Sequence, residues 1–221
     1  QSEYAPKSAL MAAYSYYSQN YYGDAMAELI RFSRVYPNHK DIAYAEYLLG
    51  LCYYEQIIDA KKDLQSIVNA KTTFESLISK YPDSEFATDA TFKIDLINEI
   101  LAGKEMFIGR YYFDKKKWIP AINRFRVVID DYETTIYVEE AIHRLVEIYY
   151  ILGIETEAKK YANLLGYNYQ SSEWYEKSFI VFNRKYKKNT IKDIKKENNS
   201  IIEKFKSLFS WDDKKKSRIW I

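Results

Sequence analysis

The sequence predicts an all-α protein, a solenoid of helical hairpins closed by a C-terminal capping helix. Three observations carry this expectation. An alanine is followed about twelve residues later by a turn residue, at Ala25 with Pro37 and at Ala70 with Pro82, and Ala121 and Ala158 repeat the pattern without the proline. Apolar residues recur at helical spacing around these alanines. The 221 residues include only four prolines and six glycines, too few for a strand-rich fold with many tight turns.

The first hairpin is read over 7–36, with Gly23 and Asp24 at its turn and Leu29, Ile30, Phe32 and Val35 as the apolar stripe of its second helix. The second covers 41–80. Its first helix carries Leu49, Gly50 and Tyr53, while its second, with Ala70, Phe74 and Leu77, arrives about eight residues late, so an insertion around 58–65 lengthens the turn. From 85 to 114 the only breakers are Gly103 and Gly109, which predicts one helix of roughly 30 residues, kinked if at all at a glycine. Its end supplies Ile108, Gly109 and Tyr112 to a third hairpin over 102–131, continued by Ala121, Phe125 and Val128. Pro120 falls in the first turn of that second helix, where its missing N–H costs little. The fourth hairpin covers 137–166, with Leu145 and Tyr149 before Gly153 and Ala158 after it. Ser171 and Ser172 are placed to cap a last helix over 171–183 with Trp174, Tyr175, Phe179 and Phe182, which covers the apolar face of a terminal repeat.

This is the pattern of the 34-residue tetratricopeptide (TPR) unit, in which small residues let two helices cross closely and aromatic residues fill the space between repeats. Such a stack offers surfaces rather than a reaction centre. Hydrophobic content of 48% beside 29% charged residues suits a soluble folded chain, and the 23 tyrosines suit a solenoid whose rings fill gaps while their hydroxyls reach solvent or a partner. The single cysteine, Cys52, lies in an apolar stretch and reads as a core residue. With His39 and His143 the only histidines, and no Gly-rich phosphate loop, no catalytic residue, metal site or cofactor is expected. No apolar run reaches the roughly 18 residues of a membrane span. The chain opens on Gln1 without a signal segment, so either it is not exported or a leader precedes this sequence.

The net charge of +2 is unevenly spread. Residues 184–221 hold 13 Lys and Arg against 5 Asp and Glu, a net of +8, which leaves −6 for 1–183. The solenoid is therefore assigned to 1–183, and 184–221 to a basic linker followed by a short amphipathic helix with Ile201, Ile202, Phe205, Leu208 and Phe209 on one side. The tail's chemistry admits anionic lipid headgroups, packing on the solenoid or contact with another subunit; packing or partner contact is preferred to membrane, and nucleic acid is not expected.

Several segments resemble the BamD family, the TPR lipoproteins of the bacterial outer-membrane β-barrel assembly machine. They are Pro82, Asp83, Ser84, Glu85, Thr88, Asp89 and Ala90; Tyr47, Leu48, Leu49 and Gly50; Tyr111 and Tyr112 followed by Trp118; Ala121, Ile122, Asn123 and Arg124 before Asp131 and Tyr132; and Ser172, Trp174 and Tyr175. The resemblance covers 1 to about 183 and does not extend to the basic tail. It implies a non-enzymatic subunit on the periplasmic face of the outer membrane, held by an N-terminal lipid absent from this chain. The first hairpin here looks like the family's second, so roughly one repeat and the lipid-bearing cysteine are missing from the sequence. Implied partners are the POTRA domains of BamA, other lipoproteins of the assembly machine, and unfolded β-barrel precursors.

In TPR folds the first helix of each hairpin lines the concave face, which by register offers Tyr14, Tyr17, Tyr44, Tyr47, Tyr54, Arg110, His143 and Glu147 to an extended client, Tyr17 and Tyr47 foremost. The alternative for each ring is packing between repeats. The resemblance assigns Asn123 and Arg124 to the side facing BamA, where an arginine can hold a carboxylate by two parallel hydrogen bonds. The competing function is a generic TPR adaptor that recognises peptide tails in solution. It would present a Lys and Arg cluster in the groove, whereas the expected groove is mostly tyrosine.

Overall fold

Local sequence chemistry accounts for some of the helix ends in this chain, such as those capped by Ser84 and Ser172. A computed structural model describes residues 4–57 and 64–182. Among them are α1 (Tyr4–Ser18), α2 (Tyr22–Val35), α3 (Ile42–Glu55), α4 (Gln65–Lys80), α5 (Glu85–Asp114), α6 (Trp118–Asp131), α7 (Val138–Ile151), α8 (Glu155–Asn168) and α9 (Glu173–Phe182), with no strand among the described residues. The all-α, TPR-type hairpin fold is as expected. Most of the insertion after Gln56 and all of the basic tail lie outside the described residues.

The repeat is sharper in three dimensions than in sequence. Ala25, Ala70, Ala121 and Ala158 are all fully buried. Eleven residues after each stands a tyrosine, Tyr36, Tyr81, Tyr132 or Tyr169, that closes the helix with φ between −128° and −137°. In each case its N–H donates to the carbonyl four residues back, of Phe32, Leu77, Val128 or Leu165. The tyrosine thus satisfies one of the helix's orphan carbonyls while leaving the helical region.

A second regularity concerns volume. Four residues after each alanine come Leu29, Phe74, Phe125 and Ala162, and the equivalent positions on the first helices are Ala13, Gly50, Gly109 and Val146. A Cβ on Gly50 would run into the Phe74 ring, and one on Gly109 would stand 2.6 Å from Phe125 Cε1. Large and small residues therefore trade places across each hairpin, as close packing at constant volume requires.

The turns depart from the sequence reading. Gly23 lies inside α2 rather than at the turn, which is made by Gln19, Asn20 and Tyr21 with Asn20 at φ 64°, a left-handed conformation that asparagine tolerates. Ile30 and Val35, assigned to the apolar stripe of α2, are 50% and 44% exposed, and the buried stripe is Ala25, Leu29 and Phe32. The helix over Glu85–Asp114 runs through both glycines, started by Ser84, whose Oγ accepts from Ala87 N at 3.2 Å. Ser172 does the same for α9, its Oγ accepting from Trp174 N at 3.1 Å. Gly153, at φ 74°, follows the end of α7.

Contacts divide the chain into two compact units that part within α7, Gln1–Ala141 and Ile142–Ile221. In the first unit each helix from α1 to α5 packs on the next, and α3 also touches α1 and α5. In the second, α9 packs on α8, and its most buried residue is Ser178 while Phe179 is exposed. No described helix is long and apolar enough to cross a membrane.

Candidate functional site

The tyrosines expected to line a groove divide into two groups. Tyr14 is 53% exposed and shares with Tyr44 a cleft of about 380 Å³, completed by Lys7, Leu10, Met11, Ser15 and Asp41. Met11 is also largely exposed, so the cleft presents a flexible thioether as well as two rings. The Tyr44 ring leans on Phe86 at 5.5 Å, and burial, with Tyr14 as a lesser cause, raises its phenol above the usual range.

Tyr17, Tyr47 and Tyr54 are more tightly engaged. The Tyr17 ring packs between Tyr14 and Tyr22, with centroids at 6.5 and 5.9 Å, and burial followed by the Glu55 charge raises its pKa. Tyr47 stacks on Phe86 at 5.4 Å and donates its hydroxyl to Asp89 Oδ2 on α5. Burial first, then that hydrogen bond, pushes the Tyr47 phenol well up. Lys93 Nζ sits 4.9 Å from the centre of the Tyr54 ring, a cation–π contact that covers one face. Neither Phe86, Asp89 nor Lys93 was singled out from sequence as part of this surface, although Asp89 and Lys93 fall four apart on one face of the long helix.

The charged candidates are paired within the fold. Arg110 donates from Nε to Glu140 Oε1 at 2.8 Å and from Nη2 to Glu140 Oε2, a bidentate clamp from α5 to the start of α7, and Glu140 holds the guanidinium pKa up. Asn123 is exposed on α6. Arg124, beside it, donates from Nη1 to Glu105 Oε2 at 2.8 Å, with its side chain 42% exposed. A carboxylate does meet Arg124, but it is supplied by α5 of the same chain.

In the second unit His143 is buried, its Nδ1 hydrogen-bonded to Ser178 Oγ at 2.8 Å and its ring 5.3 Å from that of Trp174. Expected as a groove residue, it does line a groove of this unit, and its bond to Ser178 is also a polar tie between α7 and α9. The pairing was not legible in sequence because Ser178 stands 35 residues away. Glu147 is half-buried and accepts from Arg144 Nη1 at 2.8 Å.

Among the described residues no group of His, Cys, Asp and Glu is arranged to hold a metal ion. Hairpins closed by small-for-large exchange, a tyrosine at each second-helix end, and clefts lined by first-helix side chains define a TPR-type helical repeat protein. More specifically, the chain belongs to the YfiO family, described as an outer membrane lipoprotein family, which it matches over residues 1–165. It is 47% identical over 178 residues to the outer membrane protein assembly factor BamD of Rickettsia prowazekii (strain Madrid E), covering 80% of this chain and 71% of that protein. The protein of the same name from Caulobacter vibrioides (strain ATCC 19089 / CIP 103742 / CB 15) is 40% identical over 182 residues, covering 82% of this chain and 60% of its own length. That of Neisseria meningitidis serogroup A / serotype 4A (strain DSM 15465 / Z2491) is 32% identical over 181 residues, covering 77% and 68%. The chain thus spans between 60% and 71% of the length of these relatives.

Proposed function

We propose that the chain is a scaffold subunit in the assembly of β-barrel proteins into the outer membrane, acting by binding rather than catalysis. The observation that carries this is the 47% identity over most of the chain to a protein named as an outer membrane protein assembly factor. In this reading the protein works at the periplasmic face of the outer membrane, anchored by an N-terminal lipid. The face of α6 that carries Asn123 and Arg124 docks onto the POTRA domains of BamA. The cleft of Tyr14, Met11 and Tyr44, flanked by Tyr17, Tyr47 and Tyr54, receives extended segments of unfolded precursors. Flat rings with hydroxyls at their rims suit a backbone that is apolar on one side and hydrogen-bonding at its edge. Other assembly lipoproteins are further partners.

Arg124 supports the docking role because its pair with Glu105 uses a single guanidinium nitrogen, and a planar fork of five donors has capacity for a second carboxylate. The test is a titration of the periplasmic region of BamA with the wild-type chain, with Arg124→Glu, and with the swapped pair Arg124→Glu/Glu105→Arg. The swap restores the internal ion pair. Loss of affinity in both variants, with helicity retained in both, supports docking by Arg124. Recovery in the swap reduces Arg124 to a structural role, and unchanged affinity in the single variant overturns the assignment.

A further inference from the structure

The second unit contains a groove that differs in chemistry from the tyrosine cleft. It lies between α7 and α9, holds about 590 Å³, and is lined by His143, Arg144, Glu147, Trp174, Lys177 and Ile180 among others. Lys177 Nζ stands 3.8 Å from the centre of the Trp174 ring and the Arg144 guanidinium carbon 5.8 Å from it, so the indole is flanked by two permanent cations. The indole is positioned from below by the buried His143, whose bond to Ser178 ties the two helices.

We propose that this groove binds an extended peptide segment of a partner protein through an acidic side chain, held between Arg144 and Lys177. Charge decides the class of occupant. The lining carries two cations against one carboxylate, Glu147, and this positive excess favours an acidic ligand over a basic one. The chain's own tail, at net +8, has the wrong sign for the site. Both cations are already held by carboxylates of their own helices, Arg144 by Glu147 at 2.8 Å and Lys177 by Glu173 at 3.2 Å, with Glu173 69% exposed. Such pairs within one helix are weak and exchange readily for a carboxylate brought in by a ligand. Arginine offers that carboxylate two parallel donors and lysine a point charge beside it. Ile151, Ile180 and Val181 at the same groove receive the apolar neighbours of the acidic residue, which gives the site a peptide's alternation of charge and apolar contact.

The inference is independent of the assembly role, since no assembly component enters its test. The probe is the capped peptide acetyl-Leu-Glu-Val-Glu-Leu-amide, titrated into the full chain and followed by indole fluorescence, with Trp174→Phe identifying the reporting ring. The comparison is the same capped peptide with Gln for Glu. The expected result is about tenfold tighter binding of the Glu peptide, a preference that weakens with salt and is lost in Arg144→Gln/Lys177→Gln while circular dichroism is unchanged. Both side chains are partly exposed, so the variant retains the packing beneath them. Equal binding of the two peptides, no binding of either, or a Glu preference that survives the double variant overturns the proposal. Tighter binding of the Gln peptide with a free C-terminus than of the capped Glu peptide overturns it in favour of a chain-terminal carboxylate.

Discussion

The ring of Phe125 on α6 fills the space that any side chain at residue 109 of α5 would need, with Cε1 2.6 Å from the position of a Cβ there. Phe125 is fully buried and has no room to swing aside without disturbing its neighbours. Gly109→Ala improves helix propensity by about 1 kcal/mol, but overpacking of a closed core costs about 1–3 kcal/mol. The clash prevails, and thermal denaturation is expected to show a midpoint lowered by a few degrees. Adding Phe125→Leu reproduces the Ala13 and Leu29 combination of the first hairpin. The double variant is expected to be more stable than Gly109→Ala alone, a non-additivity that a double-mutant cycle measures directly.

The bond from the Tyr47 hydroxyl to Asp89 joins α3 to α5 through residues 42 apart in sequence. Tyr47→Phe is expected to lower stability at neutral pH by about 1 kcal/mol, the contribution of a hydrogen bond to a partly exposed charged acceptor. The phenol's pKa is raised in the folded state, so its protonated form is the one the fold favours. Its contribution is complete below the unfolded tyrosine value of about 10 and declines as pH rises above that value. Urea midpoints of wild type and Tyr47→Phe should therefore converge between neutral and strongly alkaline pH. A gap that is constant across that range contradicts the assignment.

Cys52 is fully buried in α3, and burial pushes its thiol up to about 12. Since the thiolate is the reactive form, the native protein should react with Ellman's reagent at pH 8 only at the rate of opening. Denaturation in guanidinium should release one equivalent promptly, the chain having a single cysteine.

The clamp between Arg110 and Glu140 holds the start of α7 against α5. Glu140 is nearly buried, but the Arg110 side chain is 41% exposed, so solvent tempers the interaction. Glu140→Gln removes the charge but keeps the shape, and is expected to cost about 1–2 kcal/mol, below the value for a fully buried broken pair. Arg110→Met/Glu140→Met is expected to recover part of that loss, as measured by urea denaturation.

The hairpins were legible in sequence because their signals are local. Ser84 as a cap and Gly153 as a stop each act within one or two turns of helix, and Ala25, Ala70, Ala121 and Ala158 mark the buried stripe of each second helix through neighbours three and four positions away. The tyrosines that end α2, α4, α6 and α8 are equally local, but tyrosine has no intrinsic preference for a helix end, so only the backbone shows that they close these helices. The turn at Asn20 was misplaced onto Gly23 for a related reason: glycine is the usual residue at positive φ, yet asparagine takes it here.

The surfaces were much less legible. Composition and periodicity establish an acidic, tyrosine-rich hairpin repeat and the residues that face inward, because helix formation and burial depend on neighbours three and four positions away. They do not establish that Arg124 meets Glu105, that Arg110 is clamped by Glu140, that Asp89 claims Tyr47, or that His143 packs on Trp174. Each of those pairs joins different helices, and only the packing of one hairpin on the next determines which side chains fall within the few ångströms over which hydrogen bonds act.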